Sequence, residues 1–190
     1  MSRLPPLRLD QLDTELRATM AAGEEMMGFT PNDGLIMARK PALLNALLSL
    51  VQAVYQPGSV ALELKKLVAL MSSSASGCQY CQTHTSFASL RAGVAAEKIA
   101  AIWEYPTHPL FSDAERAALD LARYAAMIPN AVSDAQFQQL RRHFSDEQIV
   151  ELLGVISLFG FLTRWNATLA TELEPEPKAG AVGIGDLPEP

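Results

Sequence analysis

The chain has 190 residues, 49% of them hydrophobic, and its 15 basic and 21 acidic residues give a formal net charge of −6 at pH 7. This composition is ordinary for a soluble globular protein, and a chain of this length buries a core without disulfide bonds. The acidic balance argues against a nucleic-acid-binding surface, which normally needs a basic patch.

Helix-forming segments separated by breaks containing proline or glycine run along the chain. Apolar spacing and composition predict helices at residues 9–26, 42–55, 60–74, 78–91, 95–104, 113–127, about 134–143 and 146–172. A turn cluster at residues 28–34 separates the first two helices, and no segment reads as a convincing strand. The predicted fold class is therefore all-α, a bundle of several helices.

Three of the predicted helix starts carry capping signals. Ser112 and Glu115 form a capping-box pattern, and Ser133 and Ser145 occupy N-cap positions before the last two helices. The final helix is apolar nearly all round, which predicts burial in the core or in a subunit interface. Glu151 stands alone among apolar neighbours there, so we expect either partial burial with a raised pKa or an interface salt bridge.

The end of the chain differs in composition from the helical part. From Glu174 onward the sequence contains four prolines and several glycines. A segment of this kind is expected to be extended or mobile. We therefore divide the chain into a single helical domain at residues 1–173 and a Pro/Gly-rich tail at residues 174–190.

The apolar stretches do not have the form of an export signal or a membrane span. Residues 1–10 lack the apolar core of a signal peptide, and the most apolar run, residues 152–162, is too short to cross a bilayer. We therefore expect a soluble, cytoplasmic protein. In a reducing compartment, cysteines are more often catalytic, metal-binding or inert than joined in structural disulfides.

The two cysteines of the chain, Cys78 and Cys81, lie three positions apart, directly after Gly77. Residues at this spacing lie on one face of a helix, so the two sulfurs can meet and form a disulfide. Cys78 lies at the predicted helix start, where free backbone N–H groups and the helix dipole favour a thiolate. His84 follows Cys81 by one turn and can exchange a proton with a thiol. The pattern predicts a redox-active dithiol with His84 as its proton relay.

Two other interpretations of the cysteine pair stay open. Free cysteines can serve as small core residues without any chemistry. The second interpretation is a zinc site, since Cys78, Cys81 and His84 would supply three of the four ligands that zinc usually takes. The other histidines are His108 and His143, and there is no second cysteine pair, which disfavours a closed structural zinc site.

The run LVAL at residues 67–70, followed by SGCQYC at residues 76–81 and then a histidine, resembles the carboxymuconolactone decarboxylase/alkylhydroperoxidase D-like superfamily. Further segments are similar to its peroxidase-related branch, at residues 28–32, 37–41, 111–119 and 159–166. The resemblance covers roughly residues 10–172, and the cysteine motif is its most specific part.

The resemblance implies an alkylhydroperoxidase D-like helical bundle that forms homo-oligomers. It implies a thiol-dependent peroxidase or disulfide oxidoreductase with an antioxidant role, which reduces a peroxide and takes electrons from a dithiol or thioredoxin-like donor. Metal, haem and flavin are not needed for this chemistry. In the family pattern Cys81 is the more reactive sulfur and Cys78 its partner, whereas the helix-start argument favours Cys78.

Two positions depart from the family pattern. The family histidine lies four residues after the second cysteine, where this chain has Thr85, and His84 comes one residue earlier, about 100° round the helix. The family glutamate, twelve residues before the first cysteine, is Lys66 here. The nearest acid is Glu63, which we expect either to complete the proton relay or to pair with Lys66 on the surface.

Two further functions stay open. A cofactor-free decarboxylase, the other activity in the family's name, does not rely on a cysteine pair, so the dithiol argues against it. A non-catalytic redox-sensing module would use the pair only to report oxidation. Peroxide turnover with a dithiol as reductant separates an enzyme from a sensor, and loss of activity in Cys81→Ser separates a peroxidase from a decarboxylase.

Overall fold

The computed structural model describes residues 1–183, and every regular element in that part of the chain is a helix. Two short 3-10 helices lie at Leu9–Gln11 and Ile102–Glu104. The α-helices of the described residues are α1 (Thr14–Met27), α2 (Asn32–Met37), α3 (Pro41–Tyr55), α4 (Leu62–Ala75), α5 (Gln79–Arg91), α6 (Ala96–Ala100), α7 (Asp113–Ala125), α8 (Asp134–Leu140), α9 (Asp146–Leu169) and α10 (Pro175–Gly180). The all-α prediction is confirmed.

Capping boxes begin three helices in the second half of the chain. Ser112, Ser133 and Ser145 each accept a hydrogen bond from the backbone N–H three residues further on, and the side chain at that position accepts one from the serine backbone. These bonds satisfy N–H groups that a helix start leaves free, and a good cap stabilises a helix by about 1 kcal/mol. The predicted starts of α7, α8 and α9 are confirmed.

The segment between α1 and α3 differs from the sequence prediction. The sequence predicts a turn over residues 28–34, but α2 begins within that range at Asn32, with Pro31 as its N-cap residue. The apolar residues 35–37 of this short helix are buried. Burial of such side chains, worth roughly 1.5–3 kcal/mol each, outweighs the turn propensity of the first residues.

Helix α4 lies at the centre of the fold, packed against α5, α7 and α9. Its residues 67–71 are almost fully buried and share one core with side chains of the neighbouring helices: Leu67, Val68, Leu70, Met71, Leu119, Ala122, Leu152 and Val155. Only residues 76–78 separate α4 from α5. A link this short makes the two helices antiparallel neighbours. Because α4 is held in the core, the start of α5 has a fixed position next to it.

Gly77 lets the chain reverse direction between α4 and α5. Its φ is +68°, in the left-handed region that glycine adopts without the strain a side chain would bring. Cys78 follows as the N-cap residue of α5. The glycine before the cysteines therefore sets the position of the first sulfur at the start of a helix.

Helix α9 is the longest helix of the described residues, and one face of it is buried in the core. Leu152, Val155 and Leu158 are at most 1% exposed, whereas Val150 is 68% exposed. It is the one helix in the described part of the chain that is long and apolar enough to cross a membrane. Helices inside protein cores have the same composition, and α9 packs on α4, α5 and α7.

Glu151 forms an ion pair within the chain. Its carboxylate lies 2.8 Å from the Lys65 ammonium, which is 3% exposed, and accepts hydrogen bonds from the backbone and hydroxyl of Ser59. The bond from Lys65, followed by those from Ser59, lowers the pKa of Glu151 to about 2. The expectation of a raised pKa is therefore wrong, because a buried cation faces this carboxylate.

The predicted extended tail is partly helical. The sequence predicts extended chain from Glu174 onward, but α10 occupies Pro175–Gly180 and packs on α5. Beyond it, Ser86 Oγ donates to the backbone carbonyl of Val182 at 2.7 Å and accepts from its N–H at 2.9 Å. The prediction is wrong for residues 175–180, because packing on α5 stabilises a helix that this segment would not form by itself. Residues 184–190, the rest of the predicted tail, lie outside the described residues.

Candidate active site

The start of α5 brings the two sulfurs of the predicted dithiol together. Cys78 Sγ and Cys81 Sγ lie 3.1 Å apart, with both thiols free and buried at 2% and 3% exposure. This distance is longer than the roughly 2.05 Å of a disulfide and short for two sulfurs, so the pair shares an S–H···S hydrogen bond. Closing the disulfide requires only a small movement of the two side chains.

The two thiols differ in their tendency to ionise. Once the pair has lost one proton, the S–H of Cys81 donates to the Cys78 thiolate, which lowers the pKa of the Cys78 thiol. The backbone N–H groups of Cys81 and Tyr80 lower this pKa further, against the effect of burial. The same shared proton, together with burial, raises the pKa of Cys81 well above its usual range. The first negative charge in the pair therefore belongs on Cys78.

An apolar wall surrounds the dithiol. Phe159 and Leu162 on α9 and Leu173 just beyond that helix pack against Cys78, Tyr80 and Cys81. Phe159 and Leu162 lie three residues apart, so one face of α9 supplies most of this wall. The low exposure of the sulfurs follows from this packing.

Asn166, one turn beyond Leu162 on α9, closes the polar end of the site. Its Nδ2 donates to Asp33 Oδ2 at 3.1 Å and approaches Cys81 Sγ at 3.6 Å. The reverse amide orientation would set an acceptor oxygen against the Asp33 carboxylate, so the hydrogen bond fixes which way the amide points. Asn166 Oδ1 is buried and has no partner among the described residues. Asn166 therefore lies at the dithiol, on the helix that also supplies the apolar wall.

His84 lies beside the dithiol but bonds to a residue far along the chain. Its Nε2 is 2.6 Å from Glu174 Oε2, and neither sulfur is among its hydrogen-bond partners in the described residues. The imidazole ring lies over Tyr80, with ring centroids 4.0 Å apart, and meets Phe29 edge-on at 5.0 Å. His84 is therefore held on three sides, one helical turn from Cys81.

Glu174 is the second acid of this site, and its carboxylate accepts three hydrogen bonds. Oε1 accepts from the Tyr80 hydroxyl at 2.8 Å and from the backbone N–H of Asn32 at 2.5 Å, while Oε2 faces His84. Burial alone would raise the pKa of Glu174, but the hydrogen bonds from His84 and from the Asn32 N–H lower it overall. The carboxylate is 5% exposed and stays ionised near neutral pH.

Glu63 does not lie at the site. It is exposed in the first turn of α4, whereas the dithiol follows the other end of that helix, about 18 Å further along the axis at 1.5 Å per residue. The alternative pairing with Lys66 is absent as well, because the Lys66 amine lies 3.8 Å from the centre of the Tyr55 ring. Both expectations for Glu63 are wrong, since its helix begins at the far side of the fold.

The remaining histidines lie outside this cluster. His108 packs edge-on against Phe111, and His143 lies near Gln139. Within residues 1–183, no group of three His, Cys, Asp or Glu side chains is arranged to hold a metal ion. The predicted zinc ligands Cys78, Cys81 and His84 diverge because the imidazole points to Glu174.

Two acidic residues of the site, Asp33 and Glu174, have no clear sequence signal. Asp33 lies in a predicted turn, and Glu174 opens a predicted tail. Each reaches the site through contacts with residues more than 45 positions away in the chain. The spacing of one sequence does not reveal such contacts. The one weak indication for Glu174 is its position in the chain. It follows α9 by a few residues, and Asn166 near the end of α9 lies at the dithiol.

The family model of the carboxymuconolactone decarboxylase family matches residues 41–124. That range begins with α3 and ends within α7, so it includes both cysteines and His84 but not Asp33, Asn166 or Glu174. Asp33 precedes the matched range, and Asn166 and Glu174 follow it. The match therefore covers only part of the candidate active site.

Two solved structures of the debrominase Bmp8 are similar over nearly the whole chain. The apo structure is 33% identical, covers 93% of this chain and 95% of its own, and has a TM-score of 0.86. A cysteine-to-alanine variant in complex with 2,3,4-tribromopyrrole has a TM-score of 0.87 at the same identity, over 93% and 94% of the two chains. This is similarity in both sequence and fold.

More distant relatives share the fold or part of the sequence. An alkylhydroperoxidase D core, a peroxidase-related protein from Ralstonia eutropha JMP134, has a TM-score of 0.83 over 93% of this chain and 94% of its own at 23% identity. The uncharacterised protein YnjA of Escherichia coli K12 is 33% identical over 92 residues, which are 48% of this chain and 50% of YnjA. This chain thus spans about half the length of YnjA.

Proposed function

Because this chain belongs to the carboxymuconolactone decarboxylase/alkylhydroperoxidase D-like superfamily, we propose that it is a thiol-dependent oxidoreductase that reduces a peroxide. The observation that carries the proposal is the Cys78–Cys81 pair, with sulfurs 3.1 Å apart at a helix start. Its oxidised product is an intramolecular disulfide. The activity is of the peroxiredoxin type and serves antioxidant defence.

The first step is attack of the Cys78 thiolate on one oxygen of the peroxide. The O–O bond breaks, the sulfur becomes a sulfenic acid, and the second oxygen leaves as an alcohol or water after it takes up a proton. His84, one turn from Cys81, is the candidate for taking the proton of the Cys78 thiol and passing it to that oxygen. The choice of Cys78 follows from its N-cap position at the start of α5, together with its lowered pKa, and reverses the order that the resemblance implies.

The second step is attack of Cys81 on the Cys78 sulfenic acid. A disulfide forms and water leaves, so two thiols have given two electrons to the peroxide. The buried position of Cys81 next to Cys78 favours this reaction over further oxidation. A dithiol or thioredoxin-like donor then reduces the disulfide by thiol exchange and completes the cycle.

Reductive dehalogenation is the second candidate function, and the similarity to Bmp8 over nearly the whole chain favours it. The same dithiol would replace a carbon–halogen bond with a carbon–hydrogen bond, release the halide as HX and become a disulfide. Electron and atom balance are met, because the two thiols supply two hydrogens and two electrons. The apolar wall of Phe159, Leu162 and Leu173 suits an aromatic substrate.

A turnover assay separates the two candidates. Wild-type protein with excess dithiothreitol is offered hydrogen peroxide, an organic hydroperoxide or a brominated pyrrole, and peroxide loss and bromide release are measured. Peroxide loss that disappears in Cys78→Ser and Cys81→Ser supports the first function. Bromide release without peroxide loss supports the second. Activity that survives both substitutions contradicts any dithiol function and returns a decarboxylase to consideration.

We also propose that the protein works as a homo-oligomer in the cytoplasm. Helix α3 is strongly apolar, yet Leu44 is its one fully buried residue, and Leu48 and Leu50 are 38% and 47% exposed. A helix of this composition is normally covered on more of its surface. The two free thiols fit a reducing compartment.

A further inference from the structure

The segment after α9, residues 171–183, lies across the site and contributes to it directly. Leu173 packs on the cysteine pair, and Asn32 Nδ2 donates to the backbone carbonyl of Glu172 at 2.9 Å. Ser86 and Val182 exchange two hydrogen bonds further along. The segment is thus fastened on both sides of Glu174, which leaves that carboxylate little freedom to move.

We propose that Glu174 is a positioning residue for the dithiol reaction, holding His84 and Tyr80 in the orientation that the chemistry needs. The inference rests on the proposed thiol function. It adds a residue from the C-terminal segment, which lies beyond the part of the chain that matches the family model. The active site is therefore complete only when residues 171–183 are docked.

The geometry of the carboxylate determines which nitrogen of His84 carries a proton. Glu174 Oε2 is an acceptor without a proton, so the imidazole must present N–H from Nε2 across the 2.6 Å contact. In the neutral ring the other nitrogen, Nδ1, is then the acceptor, and it has no hydrogen-bond partner among the described residues. Fixing one tautomer in this way prepares His84 to exchange a proton through Nδ1.

The other oxygen of Glu174, Oε1, holds the side chain of Tyr80, which lies between the two cysteines in the sequence. Tyr80 is 5% exposed, and its hydroxyl donates to Oε1 at 2.8 Å while it accepts from the Asp33 backbone N–H at 3.4 Å. Tyr80 lies in the first turn of α5 between Cys78 and Cys81, and its ring supports the His84 ring. One carboxylate therefore orients both aromatic side chains that flank the sulfurs.

The variant Glu174→Gln tests this proposal because it keeps the size of the side chain and removes its charge. Glu176→Gln is the matched control, since Glu176 is exposed two residues away. Two properties are measured: the proton position on His84, by ¹⁵N-edited NMR of the imidazole with His84→Gln for assignment, and the rate of peroxide-driven disulfide formation. The NMR measurement needs no substrate, so it succeeds or fails independently of the proposed function.

The expected result is a proton on Nε2 of His84 in the wild type and in Glu176→Gln, and a mixture of tautomers in Glu174→Gln. Disulfide formation in Glu174→Gln should fall about tenfold, as for loss of a residue that orients a catalytic group. An Nδ1–H tautomer in the wild type contradicts the proposal even if the variant does not fold. An unchanged His84 spectrum in a folded Glu174→Gln protein contradicts it as well.

Discussion

Cys78 and Cys81 are chemically identical side chains, and the difference between them arises from their places in one helical turn. Cys78 is the N-cap residue, so its sulfur lies near free N–H groups, whereas Cys81 lies within the first turn of the helix. The shared proton adds to this difference, because a hydrogen bond donated to a sulfur favours its ionised form. Reactivity in this site is therefore set by backbone position and by the neighbouring thiol.

The alkylation of Cys78 by iodoacetamide should show this asymmetry in its pH dependence. Because the pKa of Cys78 is lowered, the alkylation rate should reach half its maximum at a lower pH than it does for an ordinary cysteine. In Cys81→Ala the hydrogen-bond donor is lost, so the pKa of Cys78 rises and the midpoint moves to higher pH. Cys81→Ser keeps a donor and should move it less. A midpoint that is the same in all three proteins would contradict the shared-proton account.

The residues of the site differ in how well the sequence predicts them. Cys78, Cys81 and His84 lie within seven positions of one another, so their proximity follows from helix geometry alone. Glu63 was the expected acid, but the carboxylate next to His84 belongs to Glu174, 90 positions further along. Such a contact depends on how the end of α9 returns to α5, which the periodicity of neither segment contains.

At the scale of the helices, the buried pair of Lys65 and Glu151 joins α4 to α9 and the loop after α3. The Lys65 ammonium also donates to the backbone carbonyl of Val54 at 2.9 Å, and Ser59 donates to Glu151. The ammonium is 3% exposed, so it depends on these partners for charge compensation. Removing the carboxylate should therefore destabilise the packing of three elements together.

Glu151→Gln should reduce the free energy of unfolding at pH 7 by about 2 kcal/mol. The loss is smaller than that expected for a fully buried ion pair, because 19% of the Glu151 side chain is exposed to solvent. Since the folded-state pKa of Glu151 is lowered to about 2, its stabilisation is present above about pH 4.5 and is lost as pH falls toward 2. Urea unfolding should therefore show a smaller difference from wild type at pH 2.5.

The control for this measurement is Glu147→Gln, an exposed acid on the same helix. It should change stability by less than about 0.5 kcal/mol at either pH, as surface substitutions usually do. Equal effects of the two substitutions at pH 7 would show that the Lys65 contact adds nothing beyond a surface charge.

The helices themselves were largely predictable because their signals are local. Serine caps locate the starts of α7, α8 and α9, and Gly77 marks the break before the cysteines. The misses are α2 and α10, both six residues long. Each is stabilised by burial against other parts of the fold, so turn-forming residues in their sequences gave the wrong indication.

At the scale of the whole molecule, one core fixes the site while part of the apolar surface remains uncovered. The interior is built around α4, and it holds α5 and α9 on either side of the dithiol. Most of the surface of α3, including Leu48 and Leu50, is left exposed by the other elements of the described residues. We infer that a second copy of the chain covers part of this surface.

Light scattering coupled to gel filtration tests that inference. The wild type should have at least twice the mass of one chain, and the double variant Leu48→Glu with Leu50→Glu should have the mass of a monomer, because charged side chains oppose burial of the α3 surface. Gln52→Glu, an exposed polar position on α3, adds a charge as a control and should remain oligomeric. A monomeric wild type would rule out the homo-oligomer.

The most direct test of the whole account is a thiol count and intact mass after one equivalent of peroxide. The sulfur separation of 3.1 Å predicts that both thiols of the wild type disappear together, that the chain loses two hydrogens, and that dithiothreitol restores both thiols. Cys81→Ser should instead stop at a sulfenic acid on Cys78. A folded wild-type protein whose two thiols survive peroxide and brominated pyrrole at neutral pH would contradict the account.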